Sequence, residues 1–262
     1  MTGQSLRALL REDKLKVGTG FLEFDSPGIG HIAKAAGADY AFVDMEHSGF
    51  GIDTIKRVLR YMEAADLPCI VRPLTKDAHN IDQVLDAGAD GVLAPMVETA
   101  DEARAIVEAS RYYPQGKRGA ALGIAHDRYR SEPMAEAFAA ANDRIAVLML
   151  IESAKGVENI EEIAAVPGVD GIWIGAFDLS WSLGVPGEFD TNPKFEAAVS
   201  RVLAACKANG LNAGRLVGSP EEGARLHKAG VDAISYSVDI YLLRSALQSG
   251  ISSIRENVST DR

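Results

Sequence analysis

Asp44 and Glu46 stand two residues apart in the apolar stretch YAFVDME, with His47 directly after them. On a strand that spacing puts both carboxylates on one face, while Val43 and Met45 take the other. Two carboxylates turned toward an interior need a cation to offset their charge. An imidazole beside a carboxylate is oriented by it and gains basicity, the usual construction of a general base. The structural alternative is that Asp44 caps the following turn and His47 faces solvent.

Two further carboxylates close apolar runs. Glu152 follows 145–151, where Ala146, Leu148 and Leu150 share its face, and Asp178 ends GIWIGAF. On neighbouring strand tops, without His or Cys, they make a hard oxygen site. Such a site suits Mg²⁺ or Mn²⁺, with Co²⁺ admissible, completed by water and a chelating substrate. Helix capping is the alternative for each. Arg72 ends CIVRPL, and Pro73 holds its backbone extended. Its guanidinium could neutralise a carboxylate or a developing enolate oxygen, or serve only as a salt bridge to a neighbouring strand. Glu98 closes the fourth apolar run, and the turn Gly175-Ala176-Phe177-Asp178 could turn backbone N–H groups toward an anion.

The other polar candidates carry less. His31, His79 and His227 fall in helical patterns and read as surface residues, whereas His126 sits in a long connection. Trp173 reads as core or barrel lining and Trp181 as a wall of the site. No GxGxxG, P-loop or GxSxG occurs, so no nucleotide cofactor and no serine hydrolysis are expected. No lysine ends a strand, which argues against a Schiff base.

Eight strands must position these groups: 16–24, 40–46, 69–74, 91–97, 144–152, 171–178, 212–217 and 233–239. Helical patterns at 52–65, 78–87, 99–110, 157–165, 194–208 and 220–228 lie between them. That alternation is the signature of parallel βαβ units. A weak repeat supports it: AGAD at 36–39 and 87–90, PGVD at 167–170 and AGVD at 229–232 precede every second strand. Glycine there ends a helix in the left-handed conformation before the chain enters a buried strand. The expectation is one (β/α)₈ TIM barrel over residues 1–262, with an insertion at about 111–143. In such a barrel, polar groups at the C-terminal strand ends read as catalytic. The insertion carries Arg111, Lys117, Arg118, Arg128 and Arg130, with Arg144 just beyond, and reads as a binding or subunit-contact element or a solvated excursion.

Composition narrows the partners. A net charge of −10 argues against nucleic acid and anionic membranes. Apolar residues make up 47% of the chain and charged ones 24%, as in a soluble globular protein. Cys69 and Cys206 lack metal-site spacing, the first residues lack a signal-peptide core, and no run approaches the roughly 20 residues that span a bilayer. A cytoplasmic location is expected.

Taken together, DMEH at 44–47, VRP at 71–73, QVLDAGADGVLAPMVETADEA at 83–103, YPQGKRG at 113–119, IES at 151–153 and GVDGIWIGAFDLSWSLG at 168–184 resemble the 4-hydroxy-2-oxoheptanedioate (2,4-dihydroxyhept-2-ene-1,7-dioate) aldolases. These are class II, metal-dependent pyruvate aldolases. The resemblance implies that Glu152 and Asp178 bind the metal, that His47 supported by Asp44 is the base, and that Glu46 lies near metal-bound water. It also implies that Arg72 contacts the pyruvate oxygens and that N–H groups around Phe177 and Asp178 hold the carboxylate. A homohexamer, a dimer of trimers, is implied as well. Ala176 stands where the family carries proline, which should loosen that turn, and SGFG at 48–51 should touch the aldehyde half. The expected reaction is reversible addition of a pyruvate or hydroxypyruvate enolate to an aldehyde. A metal-dependent decarboxylase or other 2-oxo acid lyase is the alternative, which would release CO₂, and a non-catalytic metabolite-binding protein is a third.

Overall fold

A computed structural model describes residues 4–189 and 191–259. Strands β1 (Lys16–Phe21), β2 (Tyr40–Asp44), β3 (Cys69–Arg72), β4 (Gly91–Ala94), β5 (Ala146–Ile151), β6 (Gly171–Ile174), β7 (Asn212–Val217) and β8 (Ala233–Val238) close in sequence order into a parallel barrel. The helices are α1 (Leu6–Leu10), α2 (Ile29–Ala35), α3 (Ile52–Ala64), α4 (Ala78–Asp86), α5 (Ala100–Ser110), α6 (Met134–Arg144), α7 (Ala154–Glu158), α8 (Ile160–Ala164), α9 (Ala176–Ser182), α10 (Pro193–Asn209), α11 (Pro220–Ala229) and α12 (Asp239–Ser259). This is the (β/α)₈ architecture the alternation implied. Among the described residues, no helix is long and apolar enough to cross a membrane.

The first six strands stop short of the apolar runs that announced them. The ladder between β2 and β3 ends at Asp44 opposite Arg72, and that between β5 and β6 at Ile151 opposite Ile174. Beyond those pairs the chain stays buried, as at Met45 and Val97, but no longer lies in the sheet. Hydrophobicity reports burial, not pairing, so the expected strands ran on into the loops. The pattern at 157–165 divides into α7 and α8 at Asn159, whose backbone leaves the helix and whose amide donates to the Glu98 carbonyl at 2.8 Å. Helices α1, α6 and α12 were not anticipated; α2 was implied only by the helical pattern around His31, and α9 only by the helix-cap alternative for Asp178.

Alternation along the strands sorts side chains into two cores. Tyr40, Phe42, Ile70, Leu93, Ala146, Leu148, Leu150 and Trp173 fill the barrel, and odd neighbours such as Val43, Val71 and Val147 pack outward against the helices. Interior aromatics need small partners across the barrel. A Cβ at Gly18 would come within 2.5 Å of the Tyr40 ring, and one at Gly214 would collide with Trp173. From below, α1 inserts Leu6, Leu9 and Leu10 into the same cluster and closes the barrel floor.

The repeated tetrads build that floor. Gly37, Gly88, Gly168 and Gly230 all adopt the left-handed conformation, at φ +93°, +101°, +96° and +108°. The aspartates closing three of the tetrads bond the start of the preceding strand: Asp39 accepts from Val17 N (2.9 Å), Asp90 from Cys69 N (3.0 Å) and Asp170 from Val147 N (3.0 Å). The insertion joins α5 to β5, so it lies at this floor, opposite the strand ends that carry the candidate site. Its cations are spent on ion pairs: Arg111–Asp170, Lys117–Glu108, Arg118–Asp86, Arg128–Glu63, Arg130–Glu132 and Arg144–Asp90. It does not line the mouth of its own barrel, and His126 is buried within it, hydrogen-bonded to the Ala121 carbonyl.

Candidate active site

The C-terminal strand ends gather Asp44, Glu46, Arg72 and Glu152 at the barrel mouth. Asp44 and Arg72 close paired strands with the parity of the interior residues Phe42 and Ile70, so both point inward. Arg72 Nε donates to Asp44 Oδ1 at 2.8 Å and Nη2 to Oδ2 at 2.6 Å, a bidentate clasp that fixes the guanidinium plane. Glu46 Oε2 lies 3.0 Å from Nη1. Burial alone would lower the Arg72 pKa, but the hydrogen bond and charge of Asp44, with Glu46, hold it above its usual value. The salt-bridge alternative for Arg72 is therefore present, and it leaves one N–H on each terminal nitrogen free for a further acceptor.

The clasp corrects the expected support of His47 by Asp44. That carboxylate is occupied by Arg72 and by the Glu46 N–H (3.0 Å), while His47 is exposed in the loop beyond β2. No hydrogen bond joins the two among the described residues. Sequence spacing set them side by side but could not show that a guanidinium from β3 would reach Asp44 first. Ser48, two residues before Phe50, donates to the Asp44 carbonyl at 2.5 Å and ties this loop down.

Glu152 sits one residue past β5 and is buried, with 3% of its surface exposed. Oε1 accepts the Met96 N–H at 2.7 Å, the hydrogen bond to this side chain among the described residues. Burial pushes its pKa up to about 7, against the Met96 hydrogen bond and Arg72, while Glu46 and Asp178 push the same way as burial. Glu46, Arg72 and Asp178 thus lie within electrostatic reach of Glu152. Gly175 makes room for it, since a Cβ there would lie 2.6 Å from Oε2 and 2.7 Å from the Glu152 Cβ.

Asp178 is not at a strand end. β6 stops at Ile174, Gly175 caps α9, and Asp178 lies exposed in its first turn. GIWIGAF reads as a continuous apolar strand, yet Phe177 is 67% exposed and belongs to the helix. Ala176 opens α9, and Leu179 N closes the first helical hydrogen bond onto the Gly175 carbonyl at 3.0 Å. Gly175, Ala176, Phe177 and Asp178 thus form a helix start beside Glu152; Gly175 N bonds the Ile151 carbonyl at 3.0 Å, and the first-turn N–H groups after it are of the kind that attract anions. Glu98 faces away from this cluster, held by Ser153 Oγ (2.8 Å) and Lys155 (3.1 Å), and the Ser153 bond foremost lowers its pKa. Trp173 lines the barrel, Trp181 is exposed on α9, and His31, His79 and His227 are exposed.

Three carboxylates, Asp44, Glu46 and Glu152, thus share the Arg72 guanidinium, and Asp178 adds negative charge near Glu152. Such an excess of oxygen ligands and negative charge fits a hard divalent cation. Among the described residues no group of three or more His, Cys, Asp or Glu side chains is placed to hold a metal ion, so a cation here would rest on fewer protein ligands and take the rest of its shell from water and substrate. Met96, whose amide holds Glu152, had no signal in the sequence.

Comparison with known proteins places the chain in a family. The chain is 36% identical over 241 residues to a hydroxypyruvate/pyruvate aldolase of Deinococcus radiodurans, covering 90% of this chain and 84% of that protein. It is 35% identical over 244 residues to a 2-keto-3-deoxy-L-rhamnonate aldolase of Klebsiella pneumoniae, covering 92% and 89%. The crystal structure of an HpcH/HpaI aldolase from Desulfitobacterium hafniense superposes with a TM-score of 0.91 at 30% identity, over 97% of each chain. Residues 19–246 match the HpcH/HpaI aldolase/citrate lyase family model, and the chain belongs to that family of carbon–carbon lyases.

Proposed function

We propose that this chain is a divalent-metal-dependent aldolase joining a 2-oxo acid, pyruvate or hydroxypyruvate, to an aldehyde, and cleaving the product in reverse. One observation carries the reading: Glu152 is buried at the barrel mouth with a single hydrogen bond among the described residues and a pKa raised to about 7. A carboxylate so short of positive charge favours a bound cation. Glu152 and Asp178 would hold the metal, Mg²⁺ or Mn²⁺, with Glu46 beside its water. When bound, the metal supplies Lewis acidity to a keto oxygen.

The chain's own groups supply the rest. The N–H groups of Ala176, Phe177 and Asp178 receive the substrate carboxylate at the start of α9. Arg72, locked by Asp44, offers its remaining N–H groups to the oxygen that gains charge as a C3 proton leaves. His47, exposed above the mouth, accepts that proton directly or through water. Gly175 keeps the space for Glu152 open. The named relatives support the 2-oxo acid and aldehyde classes.

The test is exchange of the pyruvate methyl protons in D₂O, followed by NMR with and without EDTA. Exchange that requires Mg²⁺ or Mn²⁺ is the expected result. Folded protein that exchanges nothing with any divalent metal overturns the reading.

The working unit we propose is an assembly of copies, a hexamer, in the cytoplasm. The free, buried thiols of Cys69 and Cys206 suit a reducing compartment. α12 supports assembly. From Leu243 to Val258 every residue is exposed, and Leu243, Leu247, Ile251, Ile254 and Val258 form a helical apolar stripe. Meanwhile the outer wall beside β1 holds a 520 Å³ groove lined by Phe21, Phe24, Ile29 and Ile32. A projecting apolar helix and an uncovered apolar groove on one chain are met together by a second copy. A helix of this length, at about 1.5 Å per residue and roughly 10 Å across, exchanged both ways reaches the area of a stable interface. Light scattering should return a multiple of the 27.9 kDa chain mass. A monomer would remove this part of the proposal.

A further inference from the structure

We propose that Lys76 is a positioning residue for the Glu152 carboxylate, acting through the Met96 peptide; this rests on the metal reading given above. Met96 has φ +50°, the left-handed region that side chains other than glycine rarely adopt. There the chain reverses. The Met96 N–H faces inward to Glu152 Oε1 at 2.7 Å, while its carbonyl accepts from Lys76 Nζ at 2.5 Å. One residue is gripped from both sides, and the inner grip is the one that orients the carboxylate.

The rest of the loop is tied in the same way. Lys76 also pairs with Glu102 Oε1 at 2.7 Å, and Glu102 Oε2 accepts the Glu98 N–H at 2.8 Å. From the β5 side, Ser153 and Lys155 hold the Glu98 side chain and Asn159 holds its carbonyl. Val97 N bonds the Leu150 carbonyl at 3.1 Å. Those ties fix Val97 and Glu98, and because the Met96 carbonyl and the Val97 N–H lie in one planar peptide, Lys76 and the Leu150 carbonyl hold that plane from its two edges. Without Lys76 that plane keeps the Val97 tie alone among the described residues, and relaxation of the Met96 dihedrals toward an ordinary conformation turns the N–H of the preceding peptide away from Glu152. Groups behind a metal ligand orient it as surely as the ligand's own rotamer does.

The experiment is Mn²⁺ binding to the full chain, read from the electron paramagnetic resonance signal of the free ion, with melting temperatures measured in parallel. Lys76→Ala should weaken Mn²⁺ binding about tenfold, the lower end for loss of an outer partner. Its melting temperature should stay at the wild-type value, and Lys76→Arg should recover most of the affinity. Equal affinity in wild type and Lys76→Ala overturns the role of Lys76 while leaving the metal reading intact. So does a loss that follows a lowered melting temperature in both variants. Wild-type protein that takes up no Mn²⁺ overturns the metal reading and this inference with it.

Discussion

Two buried carboxylates mark the two ends of this barrel, and they are treated in opposite ways. Asp170, at the floor, receives Arg7 Nε at 2.6 Å, Arg11 Nη2 at 3.2 Å, Arg111 Nη2 at 2.9 Å and the Val147 N–H at 3.0 Å. Glu152, at the mouth, receives one N–H and shares its surroundings with other carboxylates. Both are almost wholly buried. A buried charge supplied with every partner it can use stabilises or at least does not harm a fold. One left short of partners is a reserve of binding energy for whatever supplies them. Stability is concentrated at the floor and reactivity at the mouth, as the barrel's division of labour requires.

The sharpest way to break the comparison is to remove each carboxylate in turn. Glu152→Ala should lower the rate of C3 proton exchange by about a thousandfold or more, the scale for loss of a preorganised electrostatic element. Its folding stability should hold or rise, because a strained charge has gone; chemical denaturation beside the exchange assay reads both. A variant that kept wild-type exchange would end the distinction between the two ends.

Asp170→Ala should do the reverse. It leaves Arg111, 2% exposed at its side chain and already lowered to about 10 by burial against the pull of Asp170, without its partner. Loss of about 3–5 kcal/mol is expected in urea unfolding, with the turnover of folded molecules unchanged.

The pH dependence sharpens the same contrast. Glu152 has a folded pKa near 7, against an ordinary value of 4.5. The folded state therefore binds more protons between those values, and stability must fall as pH rises through that window. The contribution is complete below about 4.5 and lost above about 7. Its size is of order 3 kcal/mol at about 1.4 kcal/mol per unit. Unfolding in EDTA across pH 5–8 should show this slope, and Glu152→Gln should flatten it. A slope unchanged in that variant would assign the proton elsewhere.

The smallest effects come from paired glycines. Gly175→Ala pushes a Cβ against Glu152 and should cost about tenfold in kcat with little change in stability. Gly91→Ala at the floor meets Leu6 at 2.7 Å and should cost stability by roughly 1–3 kcal/mol with kcat preserved.

Much of this was legible beforehand, and the failures share a cause. Apolar runs located the strands, and the Gly-x-Asp tetrads marked where every second strand begins. Strand parity turned Asp44, Arg72 and Glu152 inward. What escaped depended on partners distant in sequence or on backbone that side chains do not announce. A salt bridge from Arg72 to a neighbouring strand was foreseen as an alternative, but not that it would take Asp44 away from His47. Phe177 looks like strand core but is exposed on α9. Met96 enters the left-handed region without being glycine. α1 carries too few residues for its periodicity to show that it is a plug, and α12 looks like an ordinary helix until its apolar stripe is found facing outward.

The plug has a kinetic consequence. With Leu6, Leu9 and Leu10 seated in the floor, the barrel has a single door. Two reactants meeting beside Glu152 must pass through it in file. Whichever is held deeper enters first and leaves last. If the proposed 2-oxo acid sits at the α9 start and the aldehyde above it, the shape of the vessel sets the order of addition. The aldehyde should compete with its own analogues and never with those of the acid.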